Sequence, residues 1–308
     1  GLASLMAWSV RLVMCGLLNE TRTTGGVIAR DKLATPNGPL HCLAMSASGS
    51  VDVASAALAH DPPHQISKWH EPHRLIDRII GKLLFLTAWP SLIVAMRRRR
   101  RTELWIGDSH AMALNRKATN SMFCRGPEGQ LILRAGPRLM YSLARNGFPP
   151  RVTRVARLVN RFGRPGSLVP LFVAGEIDLR AHLPKRPDAP LDWVAGYVDN
   201  CMGVARLLKA DRVGFFVTPP PVDVPADDIW FPIIGTIEER VAIHRRLRGA
   251  LAEGVSGTPN GILLDLTDTL ARADGAMPVE STYDGVHTNL AAVARVREGI
   301  AGYRLLAP

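Results

Sequence analysis

The stretch LWIGDSHAMAL, residues Leu104–Leu114, joins an apolar run typical of a buried strand to a helix-like segment through a Gly-Asp-Ser-His turn. Asp and Ser are preferred at helix N-termini, so one interpretation is that Asp108 or Ser109 simply caps the next helix. The other interpretation is chemical, because the carboxyl end of a strand in an α/β sheet is where ligands bind and where a serine nucleophile can be exposed.

Short apolar runs alternate with amphipathic stretches of helical length from residue 102 onward. This alternation predicts an α/β domain with a five-stranded parallel sheet that helices cover on both sides. The predicted strands are Glu103–Ile106, Gln130–Arg134, Leu168–Ala174, Arg212–Thr218 and Gly261–Leu266, and the predicted helices are Pro137–Arg145, Val152–Arg161, Asp192–Ala210, Thr236–Glu253 and Asn289–Leu305.

The length of the chain and the change in its composition predict two parts. A chain of 308 residues exceeds one domain of about 200 residues, and residues 20–70 mix Gly, Ser, Pro and His without any period. We therefore predict an irregular N-terminal extension over residues 1–101, partly disordered, with a short apolar helix and an arginine run, and a folded domain over residues 102–308.

Positive charge is concentrated in the extension, where 13 Lys and Arg face 6 Asp and Glu, within a net charge of +11 for the chain. The mainly apolar stretch Leu83–Met96 has 14 residues, too few for a membrane span, which needs about 18–20, and Arg97–Arg101 follow it. One alternative is a helix packed on the domain beside an exposed basic linker. The other, for Leu83 to Arg101, is a docking site for an anionic membrane surface. The arginine run alone would suit a basic nucleic-acid or membrane-surface protein, but we do not expect nucleic acid as a partner.

The number and spacing of the cysteines bear on metal binding, on disulfide bonds and on the cellular compartment. The four cysteines, Cys15, Cys42, Cys124 and Cys201, show no CxxC or Cys/His metal spacing, which argues against a zinc site and a dense disulfide framework. A reducing compartment is favoured, so we predict a cytoplasmic protein, with membrane association as the alternative. The sequence has no glycine-rich phosphate loop, and we predict no cofactor and no metal.

A second motif, STYDGVHTNL, places Asp284 and His287 three residues apart just before the last predicted helix. A serine needs a base within reach and a third group that orients the base. A short turn would let Asp284 hold Nδ1 of His287 and leave Nε2 free for the proton of Ser109. Asp-Gly is also a common turn pair, and a single histidine is more often structural. The joint occurrence of both motifs favours chemistry.

These motifs resemble those of the SGNH/GDSL hydrolases. GDSH at Gly107–His110 is similar to the first block of that family, and Asp284–His287 is similar to the last block, with Ser109 and His287 separated by 178 positions (287 minus 109). The resemblance covers residues 102–308 and implies a flavodoxin-like, three-layer α/β/α sandwich. It also implies esterase, lipase or acyl-transfer activity, with Ser109 as nucleophile, His287 as general base and Asp284 as its partner.

In the same family, a glycine N–H and an asparagine side chain complete the oxyanion hole. Gly136 in LRAGPRLMY fits the glycine position after the second predicted strand. GEID at residues 175–178 matches the third block at Gly175 and Asp178, but Ile177 stands where the family has asparagine. This departure predicts a variant site. It matters for function, because the loss of one oxyanion donor costs about 100-fold to 1000-fold in rate.

Other polar residues lie near this predicted strand end. Glu176 and Arg180 form either part of the substrate site or a salt bridge at its rim. Arg180 and His182 are the candidates to replace the missing oxyanion donor. His110 is positioned by the same turn as Ser109, and we expect it to line the pocket.

The sequence therefore predicts a serine esterase or acyl-transfer enzyme. The stretch from Arg134 to Arg164 holds eight arginines and no carboxylate, which suggests an ester on an anionic or polyhydroxylated substrate such as a modified saccharide. A solvated surface is the alternative interpretation of these arginines. A catalytically impaired protein of the same fold, which binds a saccharide or an anionic ligand, is the second candidate function.

Overall fold

A six-stranded sheet forms the centre of the part of the chain that the computed structural model describes, residues 88–98, 100–115, 122–223, 232–303 and 305–306. The strand order is β2-β3-β1-β4-β5-β6, and every pairing is parallel except the pairing of β2 with β3. The strands are β1 (Thr102–Gly107), β2 (Phe123–Arg125), β3 (Leu131–Arg134), β4 (Leu168–Val173), β5 (Val213–Phe216) and β6 (Gly261–Leu264).

Helices connect these strands and cover both faces of the sheet. The α-helices that follow β1 are α1 (Ser109–Ala113), α2 (Met140–Asn146), α3 (Pro150–Phe162), α4 (Trp193–Leu207), α5 (Ile237–Ser256), α6 (Thr267–Leu270) and α7 (Leu290–Gly302). A π-helical turn at Asp178–His182 and 3₁₀ turns at Leu183–Lys185 and Val279–Ser281 complete the description of the helical elements.

The α/β fold class and each of the predicted strands and helices are confirmed, with shifts of a few residues at their ends. The structure adds one strand to the predicted five, because Phe123–Arg125 pairs antiparallel with β3 at the edge of the sheet. A strand of three residues is too short to show an alternating pattern, so the sequence could not reveal it.

Two hydrophobic clusters fill the space between the sheet and its two helical layers. Neighbouring side chains of a strand point to opposite faces, and β1 shows this: Leu104 and Ile106 belong to one cluster, whereas Trp105 belongs to the other. Helices α2 to α5 pack on the first face, and α1, α6 and α7 pack on the second. The architecture is therefore a three-layer α/β/α sandwich.

Residues 88–97 of the predicted extension are helical and pack on the first cluster through Ala88, Leu92, Ala95 and Met96. This agrees with the packed-helix alternative, and the arginines at 97, 98 and 100 are exposed beside it. None of the helices in the described ranges combines the length and apolar character that a bilayer span requires. Contact with an anionic membrane stays a prediction, and residues 1–87, with Cys15 and Cys42, lie outside the described residues.

The parallel strands follow the order β3-β1-β4-β5-β6, which reverses direction between β1 and β4. In open α/β sheets, the crevice at such a reversal lies beyond the carboxyl ends of the strands and binds the ligand. The approach of the two strands at this point is close. A Cβ atom added to Gly107 would lie 2.1 Å from the carbonyl oxygen of Val173, so only glycine fits here.

We expect the substitution Gly107→Ala to lower the free energy of unfolding by about 1–3 kcal/mol, because the new methyl group would force β1 and β4 apart. Urea denaturation measures the effect. Gly249→Ala in α5 is the matched control: no atom lies within 4 Å of its added Cβ, and a helical alanine should stabilise by about 0.5–1 kcal/mol. Equal transition midpoints for the two variants would contradict the packing argument.

Candidate active site

The turn after β1 caps the helix that follows it, as one of the two interpretations of its sequence predicted. Asp108 caps α1, since its Oδ1 accepts a hydrogen bond of 2.8 Å from the backbone N–H of His110. Ser109 is the first residue of α1, and its hydroxyl is not used for capping. Capping by the aspartate therefore leaves the serine hydroxyl available for other partners.

The turn before α7 fixes a carboxylate and an imidazole together. Oδ1 of Asp284 accepts hydrogen bonds from the backbone N–H groups of Val286 at 3.0 Å and His287 at 2.7 Å. Gly285 has φ of +80°, a left-handed conformation that glycine adopts without strain. Tyr283 N donates to the His287 carbonyl at 3.1 Å, which closes the turn. The side chain of Asp284 is thus held in place by the backbone of its own turn.

A continuous hydrogen-bonded chain joins these two turns. Nε2 of His287 lies 2.7 Å from Oγ of Ser109, and Nδ1 of His287 lies 2.6 Å from Oδ2 of Asp284. Burial would raise the pKa of Asp284, but the hydrogen bonds and charge of His287 outweigh it and hold this pKa below its usual value. An ionised Asp284 accepts a hydrogen bond from the Nδ1–H of His287, which leaves Nε2 as the acceptor for the hydroxyl of Ser109.

Two further aromatic rings contact the ring of His287. His110 stacks on it with centroids 4.9 Å apart, and Tyr283 stacks with centroids 5.6 Å apart and planes 13° from parallel. Tyr283 is 57% exposed, so it also forms part of the outer surface of the site. Tyr283 lies inside the motif STYDGVHTNL but was not among the predicted site residues.

Glu176 and Arg180 form a buried ion pair and not one at an exposed rim. Nε of Arg180 donates to Oε1 of Glu176 at 2.7 Å, and Oε2 of Glu176 lies 3.7 Å from Nε2 of His110. Burial would raise the pKa of Glu176, but His110 and Arg180 outweigh it and lower this pKa to about 2. Burial likewise opposes a charge on His110, yet the carboxylates of Glu176 and Asp108 raise its pKa.

Asp178 and His182 contact each other beside the start of α2. Oδ2 of Asp178 accepts a hydrogen bond from Met140 N at 2.5 Å, and its Oδ1 lies 3.2 Å from Nδ1 of His182. The His182 ring also packs on Tyr141 with centroids 5.2 Å apart. These contacts tie His182 to Asp178 and α2, and its role as an oxyanion donor stays a prediction. Asp178 likewise acts as a buried cap for this helix.

The other residues of the predicted oxyanion hole lie at the ends of β3 and β4. Gly136 follows β3 with φ of +91°, and Ala135 beside it donates from its N–H to the Gly107 carbonyl at 2.6 Å. Gly175 has φ of +112° in the turn after β4. Ile177 is buried and carries no polar atom. The structure therefore brings Gly136 to the end of β1, whereas Ile177 offers no side-chain donor.

A small cavity borders the two turns that carry Ser109 and His287. Its wall includes His110, Glu176 and Arg180, the segment 219–222, Gly285 with Val286, and Arg240. Arg240 was not among the predicted site residues, although the sequence holds a signal for it. The buried face of α5 follows helical spacing through Arg240, Ile243, His244, Leu247 and Leu251. Arg240 is the unusual member of this face, because it is a charged residue at a position where helical spacing predicts an apolar one.

Across the described ranges, no group of three or more His, Cys, Asp or Glu side chains is placed to hold a metal ion.

No family model and no curated protein sequence matches this chain. Among solved structures, the chain is similar to a GDSL-like lipase from Bacteroides thetaiotaomicron, with 13% identity, a TM-score of 0.41, and coverage of 67% of this chain and 87% of that chain. It is also similar to a carbohydrate acetylesterase from Sinorhizobium meliloti, with 17% identity, a TM-score of 0.40, and coverage of 66% and 98%. An aryl esterase from M. smegmatis shows 17% identity, a TM-score of 0.38, and coverage of 67% and 99%. At these identities and TM-scores, none of these neighbours assigns a function to the chain.

We expect Glu176 to make stability depend on pH. Its pKa of about 2 lies below the ordinary 4.5, so its contribution is complete above about pH 4.5 and is lost as the pH falls towards 2. The difference in free energy of unfolding between the natural chain and Glu176→Gln should therefore shrink by about 2 kcal/mol between pH 5 and pH 3. Urea denaturation at a series of pH values measures this difference.

Glu253→Gln, which removes an exposed carboxylate near the end of α5, is the control and should change the profile far less. A difference between the natural chain and Glu176→Gln that stays constant from pH 5 to pH 3 would show that Glu176 has no lowered pKa.

Proposed function

We propose that this chain is a serine esterase or acyl-transfer enzyme in which Ser109 is the nucleophile, His287 the general base and Asp284 the residue that orients the imidazole. One observation carries the proposal: hydrogen bonds of 2.7 Å and 2.6 Å link Ser109, His287 and Asp284 in series. Such a series is the arrangement that turns a weak serine hydroxyl into a nucleophile.

In the proposed reaction, Oγ of Ser109 attacks the ester carbonyl carbon while Nε2 of His287 accepts the hydroxyl proton. The tetrahedral intermediate then collapses, the C–O bond to the alcohol breaks, and Nε2 returns the proton to the leaving oxygen. Water or an acceptor alcohol attacks the acylated Ser109 by the same route in reverse. The ionised Asp284 stabilises the imidazolium throughout, which its lowered pKa favours.

The negative oxygen of the intermediate needs hydrogen-bond donors. We assign this role to the backbone N–H groups of Ser109 and Gly136, which lie at the neighbouring ends of β1 and β3. Gly175 and Asp178 shape the adjoining turn, and Glu176, Arg180 and His110 face the substrate. An acylated saccharide is the finer substrate proposal, because charged and polar groups line the cavity.

A second candidate function is ligand binding without turnover, and Ile177 is the observation that favours it. An isoleucine cannot donate a hydrogen bond to an oxyanion, and one lost donor costs about 100-fold to 1000-fold in rate. In this case the chain would bind a saccharide or an anionic ligand in the same crevice.

We expect Ser109→Ala to lower the rate of 4-nitrophenyl acetate hydrolysis by at least about 10³-fold, because the nucleophile is removed. Asp284→Asn should lower kcat by up to about 10⁴-fold through loss of the imidazole's orientation. Ser256→Ala, at the exposed end of α5, is the control. Wild-type rates in Ser109→Ala would refute the proposed nucleophile, and an inactive natural chain that still binds ligand would support the second candidate.

We expect Ile177→Asn to raise kcat by about 10-fold or more, since it supplies a side-chain amide at the position that the motif resemblance gives to the oxyanion donor. Ile177→Val keeps an apolar side chain at this buried position and is the control. Thermal unfolding of both variants separates a loss of folding from an effect on the reaction. An unchanged kcat in a folded Ile177→Asn variant would mean that another group already acts as the donor.

A further inference from the structure

His110 is a buried imidazole that contacts the proposed general base. Its ring is 1% exposed and stacks on the ring of His287, with centroids 4.9 Å apart and planes 30° from parallel. It follows Ser109 in α1, so the turn that presents the proposed nucleophile also places this second imidazole. An imidazole that carries a charge at this distance acts on the protonation of its neighbour.

Hydrogen bonding does not explain why an imidazole is buried here. Among the described residues, neither Nδ1 nor Nε2 of His110 has a hydrogen-bond partner, and Oε2 of Glu176 lies 3.7 Å from Nε2. That distance is too long for a hydrogen bond between neutral groups, but opposite charges attract each other across it. The arrangement therefore suits the imidazolium form of His110 better than the neutral form.

Glu176 is held from its other side by Arg180. Nε of Arg180 donates to Oε1 at 2.7 Å, so Arg180 and His110 contact different oxygens of the same carboxylate. Burial opposes the charge of Glu176, but His110 and Arg180 lower its pKa to about 2. Burial also opposes a charge on His110, but Glu176 and Asp108 raise its pKa. Both directions are those of an ion pair.

Charged and titratable groups surround His110 from four parts of the described chain: the turn after β1, the segment after β4, the turn before α7, and α5. These groups are the carboxylates Asp108, Glu176 and Asp284, the cations Arg180 and Arg240, and His287 itself. Asp284 is bound to His287, and burial raises the pKa of Asp108. Glu176 is therefore the main counter-charge of His110.

A positive charge on His110 opposes an effect of Asp284. The Asp284 carboxylate, 2.6 Å from Nδ1, favours a positive charge on His287, and an imidazolium cannot accept the proton of Ser109. A second positive charge on a ring 4.9 Å away favours the neutral form of His287 instead. Tyr283 also stacks on His287, but it stays neutral because burial raises its pKa. Of these two stacked rings, His110 is the one that acts on His287 through charge.

We propose that His110 is a positioning residue that acts through His287: as an imidazolium held by Glu176, it keeps Nε2 of His287 free of a proton in the resting site. The inference rests on the proposed function, since that function makes His287 the general base. Its consequence is activity at mildly acid pH, where a histidine influenced by a carboxylate alone would already hold its proton.

We expect His110→Phe, which keeps a flat ring but removes the charge, to raise the midpoint of the acid limb of kcat/KM by about one pH unit. The assay is hydrolysis of 4-nitrophenyl acetate over a series of pH values, with the released phenol quantified by chromatography. His110→Gln should move the midpoint in the same direction.

His244→Gln is the matched control, because it removes another imidazole that is 1% exposed, 2.9 Å from the Thr218 carbonyl, and it should leave the midpoint unchanged. A lower plateau with an unchanged midpoint in the folded His110 variants would show a merely structural role and overturn the inference. A midpoint that moves to lower pH would also overturn it.

NMR of the imidazole nitrogens tests the same inference without turnover. In the natural chain at about pH 7, both ring nitrogens of His110 should carry protons, and in His110→Phe the ring of His287 should take up its proton at higher pH than in the natural chain. If the natural chain hydrolyses no ester, the proposed function fails, whereas these two NMR results still decide the inference. A neutral His110 at that pH in the natural chain would overturn it, even if neither variant folds.

Discussion

The parallel pairing of β1 with β4 is the constraint on which the site depends. The two strands run in register from Thr102 opposite Leu168 to Gly107 opposite Val173, so both end at the same edge of the sheet. Ser109 follows the end of the first strand, and Glu176 follows the end of the second. Backbone hydrogen bonds of the sheet thus fix the spacing of groups from distant segments, and His287 reaches them through the short turn before α7.

Buried charge is the second organising feature of this edge. Glu176, Arg180, His110 and Arg240 all lie largely out of solvent, where a wholly apolar cluster of similar volume would often be at least as stable. Opposite charges and hydrogen bonds within the cluster, such as that from Arg180 to Glu176 at 2.7 Å, offset part of the cost of burying these groups. The stacking of His110 on His287 ties this charged cluster to the hydrogen-bonded chain that reaches Ser109.

Local patterns in the sequence predicted the elements and the two motifs, because strand and helix periods and turn residues are local properties. The strand β2 was missed, since three residues carry no period. The meeting of Ser109 and His287 rested on a motif resemblance and on the geometry of parallel sheets. The partners of His182 and Arg240 could not be predicted, because they depend on how α2 and α5 pack and not on neighbouring residues in the chain.

Ile177 and Arg240 are the two unusual positions of the site, because each carries a residue of a type that its place would not predict. In the proposed reaction, an apolar residue at 177 leaves the oxyanion to the backbone N–H groups of Ser109 and Gly136. Arg240 is a cation on the buried face of α5, where its Nη1 donates to the Val222 carbonyl and so ties this helix to the segment after β5. The first position therefore bears on the rate of the proposed reaction, whereas the second bears on how the wall of the crevice is held in place.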